Sequence, residues 1–128
     1  RGSSPFKERG DAPRQGRLTE EISIITLQPE YLPATLGLDE ETYIHVLCWF
    51  DRSDRTILQT HPAGDAANPL KGVFANRSPH RPNPISLTLA EVIRIEENHI
   101  TVRGLEAFDG TPVLDIKPFR AEFDTPNK

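Results

Sequence analysis

The segment that decides the fold is I-S-L-T-L-A-E-V-I-R-I-E-E-N-H-I-T-V-R, residues Ile85–Arg103. In its first part, Ile85–Ile95, large apolar residues alternate with smaller or polar ones along much of the length. The second part, His99–Arg103, is rich in β-branched residues. Both features are typical of β-strands. The polar residues Glu96–Asn98 between them favour a turn. The sequence therefore predicts a β-hairpin.

The first strand of this hairpin has two different faces. Ile85, Leu87 and Leu89 share one face, and smaller or polar residues occupy the other. The alternation shifts at Val92 and Ile93, which predicts a β-bulge at that point.

Three other segments predict strands. Glu21–Leu27 alternates apolar and polar residues over most of its length, as a half-buried strand does. Thr42–Phe50, T-Y-I-H-V-L-C-W-F, is rich in β-branched and aromatic residues and predicts a strand buried on both faces. Val113–Phe119 predicts a last strand, which Pro118 cuts short.

Helix is rare in this sequence. Only Pro29–Leu36 predicts a short helix or turn, which ends at Gly37. Asp51–Leu70 predicts a long functional loop. Several short strands without alternating helices favour an antiparallel or mixed sheet. We therefore predict an all-β protein, a single small β-barrel with long loops and little helix.

A proline-rich loop, Arg77–Pro84, precedes the hairpin. Proline restricts φ, removes backbone donors and pushes the preceding residue toward extended geometry, so a stiff, extended loop is expected. Its polar side chains combine permanently charged donors, a titratable ring and an amide. Such groups together are typical of a site that binds a polar ligand. These side chains belong to Arg77, His80, Arg81 and Asn83.

The composition is that of one globular domain spanning all 128 residues, with 12 prolines and 8 glycines in keeping with much loop. The single cysteine, Cys48, cannot form an internal disulfide and predicts a reduced core thiol. No apolar run approaches the ~20 residues that span a bilayer, and no spacing of Cys or His resembles a metal site. A cytoplasmic protein without membrane or metal partners is expected.

Three motifs resemble one known family. They are G-V-F-A-N-R-S-P-H-R-P-N-P-I at Gly72–Ile85, L-E-A-F-D-G-T-P-V-L-D-I-K-P-F at Leu105–Phe119, and S-P-F-K-E-R at Ser4–Arg9 together with A-P-R-Q-G-R at Ala12–Arg17. Together they are similar to the TsaA-like, or TrmO, family. That resemblance implies a small, commonly dimeric β-barrel that uses S-adenosyl-L-methionine to methylate threonylcarbamoyladenosine beside the tRNA anticodon. Relatives usually carry a strand before the third motif, where this chain has Arg1–Ser3, so a truncated or altered first strand is expected.

The resemblance also implies roles for individual residues. Matching positions for cofactor binding are Arg14, Gln15, Gly16, Asp51, Arg52, Arg77, His80, Leu89, Glu106, Ala107, Phe108 and Asp109. The expected catalytic residues are His80, Arg77 and Asp109, with His80 as a candidate proton acceptor. Contacts to the tRNA substrate are expected from Arg81, Asn83 and Lys117.

Residue chemistry alone leaves alternatives for these positions. His80 could instead stack on a base or cap a turn, and Asp109 could simply cap a β-turn. Arg77 and Arg81 could bind tRNA phosphate, hold the carboxylate of the cofactor, or form structural salt bridges to Asp109 and Asp115.

The net charge of −4 disfavours a generic nucleic-acid binder. Basic residues nevertheless concentrate in or beside the motifs, where they could bind a phosphate backbone. They are Arg14, Arg17, Lys71, Arg77, Arg81, Lys117 and Arg120. Two other functions stay open: methylation of a small molecule or protein, and cofactor binding without catalysis.

Overall fold

The computed structural model describes residues 2–3, 21–62, 65–107 and 109–126. Within these ranges the strands are β1 (Gly2–Ser3), β2 (Ile22–Thr26), β3 (Tyr43–Trp49), β4 (Gln59–Thr60), β5 (Lys71–Gly72), β6 (Ile85–Glu96), β7 (His99–Arg103) and β8 (Val113–Pro118). One short helix, α1 (Ala121–Asp124), follows β8, and the 3₁₀-helices are Pro29–Thr35, Leu38–Glu40 and Val73–Ala75. No helix in the described ranges is long and apolar enough to cross a membrane.

Six strands form one antiparallel sheet in the order β1-β2-β7-β6-β3-β8. The predicted hairpin is confirmed as β6 and β7, and its turn places Glu97 in the left-handed region with φ of 54°. The predicted bulge is also confirmed, since the pairing register shifts between Val92 and Arg94. The other predicted strands correspond to β2, β3 and β8.

The prediction of a closed barrel is not supported. Closure would require hydrogen bonds between the two edge strands, β1 and β8. In the described part of the chain, β1 pairs only with β2 and β8 pairs only with β3, so the sheet is open. A truncated or altered first strand was expected. In the structure, the two residues of β1, Gly2 and Ser3, pair with Ile25 and Ile24 of β2.

The core lies against one face of this sheet. Alternate residues of β3, namely Ile44, Val46 and Cys48, are fully buried there. Burial raises the pKa of the Cys48 thiol to about 11, so this thiol is uncharged and unreactive at neutral pH. The intervening residues of β3 are exposed or half-buried, so the prediction that this strand is buried on both faces was wrong.

The opposite face, called the outer face below, carries large aliphatic side chains. On β6 the core side receives Ser86, Thr88 and Ala90, whereas Leu87 and Leu89 are about two-fifths exposed on the outer face. Small residues on the inside let the buried side chains of neighbouring strands pack closely. The outer face also includes Ile22, Ile24 and Ile85, each more than two-fifths exposed.

Two features lack a clear periodic signal in the sequence. Strands β4 and β5 form a separate two-stranded sheet; β4 lies inside the predicted loop Asp51–Leu70, and β5 begins immediately after that loop. Helix α1 is preceded by Arg120, which donates hydrogen bonds to both carboxylate oxygens of Glu41, just before β3, at 2.7 and 3.2 Å. These bonds hold the pKa of Glu41 below its usual value.

Candidate functional site

The proline-rich loop and the Leu105–Pro112 segment meet at the end of β3. The Trp49 amide donates a hydrogen bond to the Pro112 carbonyl at 2.9 Å, and the next amide, Phe50, donates to Pro84 at 2.8 Å. Successive amides of an extended strand point in opposite directions. The end of β3 therefore holds the two motifs on its two sides.

Arg81 is built into the loop as a brace. Its guanidinium donates to the Asn76 and Ser78 carbonyls at 3.3 Å and also to the carbonyl of Val73. Val73 itself is buried, and its amide donates to Leu58 at 2.9 Å. Of the roles left open for Arg81, these bonds support a structural one.

The surroundings of His80 define Nδ1 of its ring as a hydrogen-bond acceptor. The backbone amide of Asp54 donates to His80 Nδ1 at 2.7 Å, and Ser78 Oγ accepts from the His80 amide at 3.2 Å. Because Nδ1 accepts a hydrogen bond, the neutral ring carries its proton on Nε2. This arrangement favours His80 as a donor through Nε2, and its role as a proton acceptor stays a prediction.

A shallow cavity of about 170 Å³ lies between this loop and the start of β6. Phe50, Ile85 and Leu87 supply apolar walls, and Arg77 supplies an exposed cation at the rim. Drug-sized ligands usually occupy about 300 to 1,000 Å³, so the described residues form only part of a site for a nucleoside-sized cofactor. The remaining lining residues are Ser78, Pro79, Arg81 and Ser86.

The outer face continues from this cavity along β6. Leu89 lies on the same face as Leu87 and pairs across the strands with His45, which pairs in turn with Lys117 of β8. Lys117 forms an ion pair with Asp115 at 3.1 Å. The structure therefore brings Leu89 and Lys117 to one surface that begins at the cavity.

Other sequence-predicted site residues lie around the two motifs. Asp51 and Arg52 occupy an exposed turn immediately after β3, and Ala107 is buried in the core. Asp109 is half-buried and precedes Gly110, whose φ of 81° suits the tight turn predicted there. Four predicted positions lie outside the described residues: Arg14, Gln15, Gly16 and Phe108.

Glu106 is a buried carboxyl group with an unsatisfied oxygen. The residue is 4% exposed, and its Oε1 has no hydrogen-bond partner in the described ranges. Burial raises the pKa of Glu106 to about 7. A buried carboxyl group with a raised pKa can accept a hydrogen bond from a ligand or, when ionised, pair with a cationic group of the ligand.

The raised pKa of Glu106 predicts a pH-dependent stability. The folded protein holds this proton more tightly than the unfolded chain, whose pKa is near 4.5, so stability should fall as pH rises from 4.5 through 7. The loss should be at most about 3.5 kcal/mol, because the pKa rises from 4.5 to about 7 and one pKa unit corresponds to about 1.4 kcal/mol. Glu106→Gln should remove most of this loss between pH 5 and 8, as measured by denaturant unfolding.

A matched control is Glu30→Gln, which alters an exposed carboxylate in the Pro29–Thr35 helix. This control should retain the pH profile of the parent chain. A Glu106→Gln profile as steep as that of the parent would show that another group causes the dependence.

The sequence analysis missed Arg55 and did not include Phe50 in the site. Arg55 contacts the loop from the segment after β3, and Phe50 lines the cavity. A forked donor only five residues beyond the predicted core strand Thr42–Phe50 was an available signal for Arg55, but its partners lie 27 and 28 residues away. No cluster of His, Cys, Asp or Glu that could hold a metal occurs in the part of the chain described here.

Comparison with known proteins confirms the resemblance seen in the motifs. Residues 2–125 match the family described as the tRNA-methyltransferase O N-terminal domain. An S-adenosyl-L-methionine-binding protein of Archaeoglobus fulgidus is 42% identical over 98% of this chain and 88% of its own length. A tRNA (adenine(37)-N6)-methyltransferase of Mus musculus is 39% identical over 77% of this chain but only 22% of its own.

Solved structures show the same relationship. A crystal structure of TrmO superposes with a TM-score of 0.78 and 30% identity, covering 98% of this chain. A crystal structure of TrmO from P. aeruginosa gives a TM-score of 0.77, also at 30% identity, and covers 97%. The chain spans little more than half of these structures, 56% and 53% of their lengths.

Proposed function

The chain belongs to the family of tRNA-methyltransferase O N-terminal domains, and from this membership we propose that it binds S-adenosyl-L-methionine and transfers the methyl group to tRNA. The finer proposal is that the acceptor is the exocyclic nitrogen of threonylcarbamoyladenosine beside the anticodon. The observation that carries the proposal is the convergence of two family motifs on the end of β3, where Trp49 and Phe50 bind one motif each.

The chemistry of the described residues fits this cofactor. S-adenosyl-L-methionine carries an ammonium and an adenine amine, and each can donate a hydrogen bond to a buried carboxyl oxygen such as Glu106 Oε1. Arg77 at the cavity rim can bind a carboxylate with its forked donors. The apolar walls from Phe50 and Leu87 can exclude water from the methionyl or adenine portion.

When bound, the cofactor would supply an electrophilic methyl group to the acceptor nitrogen, with S-adenosylhomocysteine as the leaving group and the proton of that nitrogen released to water. The protein then mainly has to align donor and acceptor, because positioning accounts for much of the rate of such a displacement. We assign this alignment to Arg77, Asp109 and His80. His80 donates through Nε2 in this proposal, in keeping with its bond from Asp54.

The nucleic-acid substrate has a candidate surface beside the cavity. Asn83 is exposed next to the cavity, and Lys117 lies on the outer face. Such donors bind phosphate and sugar oxygens, which positions an RNA without reading its sequence. Phe74 is 86% exposed on the Val73–Ala75 turn and can offer its ring to an unstacked base.

We also propose that the site is completed in a homodimer. The cavity of about 170 Å³ is small for the cofactor, and the outer face beside it exposes Ile85, Leu87 and Leu89. Contiguous exposed aliphatic surface is typical of an interaction site. Sedimentation equilibrium should give twice the 14.4 kDa mass of this chain, and a monomer at micromolar concentration would contradict the dimer.

The decisive experiment is transfer of a labelled methyl group from S-adenosyl-L-methionine to bulk tRNA. The control is tRNA from cells that cannot make threonylcarbamoyladenosine. Label on the complete tRNA alone would support both the cofactor and the acceptor. Label on both tRNA pools would overturn the finer proposal, and label on neither, with the cofactor still bound in a parallel titration, would overturn the tRNA proposal.

A further inference from the structure

Arg55 makes three separate contacts at the edge of the candidate site. Its Nε donates to the Pro82 carbonyl at 2.6 Å, and its Nη2 donates to Asn83 Oδ1 at 3.2 Å. The guanidinium carbon also lies 5.3 Å from the centre of the Trp49 ring. One exposed arginine thus joins the end of β3 to the last residues of the proline-rich loop.

We propose that Arg55 is a positioning residue that holds the proline-rich loop in its ligand-binding geometry and orients the amide of Asn83. This inference rests on the proposed function, because the ligand of the loop is taken to be S-adenosyl-L-methionine or the tRNA acceptor. Arg55 itself does not touch the reacting atoms in this proposal.

The first argument is that three prolines deprive the loop of backbone donors. Pro79, Pro82 and Pro84 have no backbone N–H, so the loop cannot brace itself with regular backbone hydrogen bonds. Its first half is braced from inside by Arg81, and its middle by the Asp54 amide on His80. Arg55 supplies the corresponding brace to the last part of the loop.

The second argument concerns the direction of the Asn83 amide. A guanidinium only donates hydrogen bonds, so it selects the amide orientation in which Oδ1 faces Arg55. The Nδ2 donors of Asn83 then face away from Arg55. The loop consequently offers donors from both Arg77 and Asn83, which suits a ligand portion rich in acceptors, such as a carboxylate or carbonyl.

The third argument is that stacking on Trp49 fixes the guanidinium in place. A cation held over an indole ring is attracted by its quadrupole, and Arg can stack while its edge still donates two hydrogen bonds. Lysine could keep the attraction to Trp49 and one hydrogen bond, but it lacks the fork that reaches both Pro82 and Asn83. Arg55→Lys should therefore restore only part of the function.

The test compares Arg55→Ala and Arg55→Lys with Arg94→Ala as a matched control. Arg94 is an exposed arginine on β6 whose Nε donates to Glu96 at 2.8 Å, away from the loop. Calorimetric titration with S-adenosylhomocysteine measures ligand affinity, and thermal unfolding measures stability. Trp49 is the single tryptophan, so its fluorescence reports the loss of the stacked cation directly.

Arg55→Ala should weaken S-adenosylhomocysteine binding on the order of tenfold, because misplaced contact groups lose much of their effect. The fluorescence emission of Trp49 should change in this variant. The backbone N–H groups of His80 and Asn83 should exchange faster with solvent. Arg55→Lys should recover the emission and part of the affinity. Arg94→Ala should match the parent chain in every readout.

Unchanged affinity and unchanged amide exchange in Arg55→Ala would overturn the proposal. A loss of affinity that merely follows a large drop in melting temperature would also overturn it, by showing a structural role alone. Should Arg55→Ala not fold, Arg55→Met keeps an apolar stem but removes every donor, and the same criteria apply to it. If the parent chain binds no S-adenosylhomocysteine, the proposed function fails, whereas fluorescence and amide exchange still decide whether Arg55 orders the loop.

Discussion

Arg81→Ala is expected to lower the free energy of unfolding by about 3 kcal/mol, since it leaves several partly buried carbonyl groups without their donor. The guanidinium of Arg81 bonds to Val73, Asn76 and Ser78, which lie in the turn and loop before the cavity. Urea unfolding followed by circular dichroism measures the change. Ligand affinity should fall as well, because Arg81 itself lines the cavity and Arg77, the exposed arginine at its rim, lies between two of these carbonyls in the chain.

A graded variant separates charge from geometry at Arg81. Arg81→Lys keeps the positive charge but cannot reach all three carbonyls, so it should lose about half as much stability as Arg81→Ala. A lysine variant as stable as the parent chain would mean that charge, not the set of hydrogen bonds, is the source of the stabilisation.

Arg77→Ala, unlike Arg81→Ala, is expected to weaken cofactor binding with little effect on stability. Arg77 is exposed at the cavity rim, so its removal should change stability by less than about 0.5 kcal/mol. A hydrogen bond to a charged group contributes about 1.5 to 3 kcal/mol, so affinity for S-adenosyl-L-methionine should fall roughly tenfold to a hundredfold. Calorimetric titration and thermal unfolding of the same samples provide both numbers.

The exposed Arg94→Ala variant again serves as control, and it should bind like the parent chain. Normal cofactor affinity in Arg77→Ala together with a large loss of stability would reassign Arg77 to the scaffold. Normal affinity with reduced methyl transfer would instead assign Arg77 to the tRNA acceptor, one of the roles that its chemistry allows.

Local sequence patterns accounted for most of the strands. The hairpin of β6 and β7 depends on alternation and on a polar turn, and both are properties of neighbouring residues. The bulge near Val92 was predictable for the same reason, because an inserted residue reverses the alternation. The two-residue strands β4 and β5 were not predictable, since two residues are too few to show a period.

The sequence named candidate site residues but could not show their arrangement. The motifs identified Arg77, His80 and Glu106 as candidates, and Arg81 was assigned to substrate contacts. The structure shows Arg81 bonded to three carbonyls and Glu106 buried with an unsatisfied oxygen. Side-chain type alone does not distinguish an arginine that binds ligand from one that braces its own loop.

What the sequence by itself determined is the β-rich fold, because alternation and β-branched residues are local properties, and the family, because its motifs are similar over short, continuous stretches. Tertiary structure alone decided which face of β6 is buried, since alternation shows that Leu87 and Ser86 differ but not which one meets the core. It also decided the bracing of the loop by Asp54 and Arg55, whose partners are 26 to 28 residues distant. Such contacts depend on how the chain returns upon itself, which no local pattern encodes.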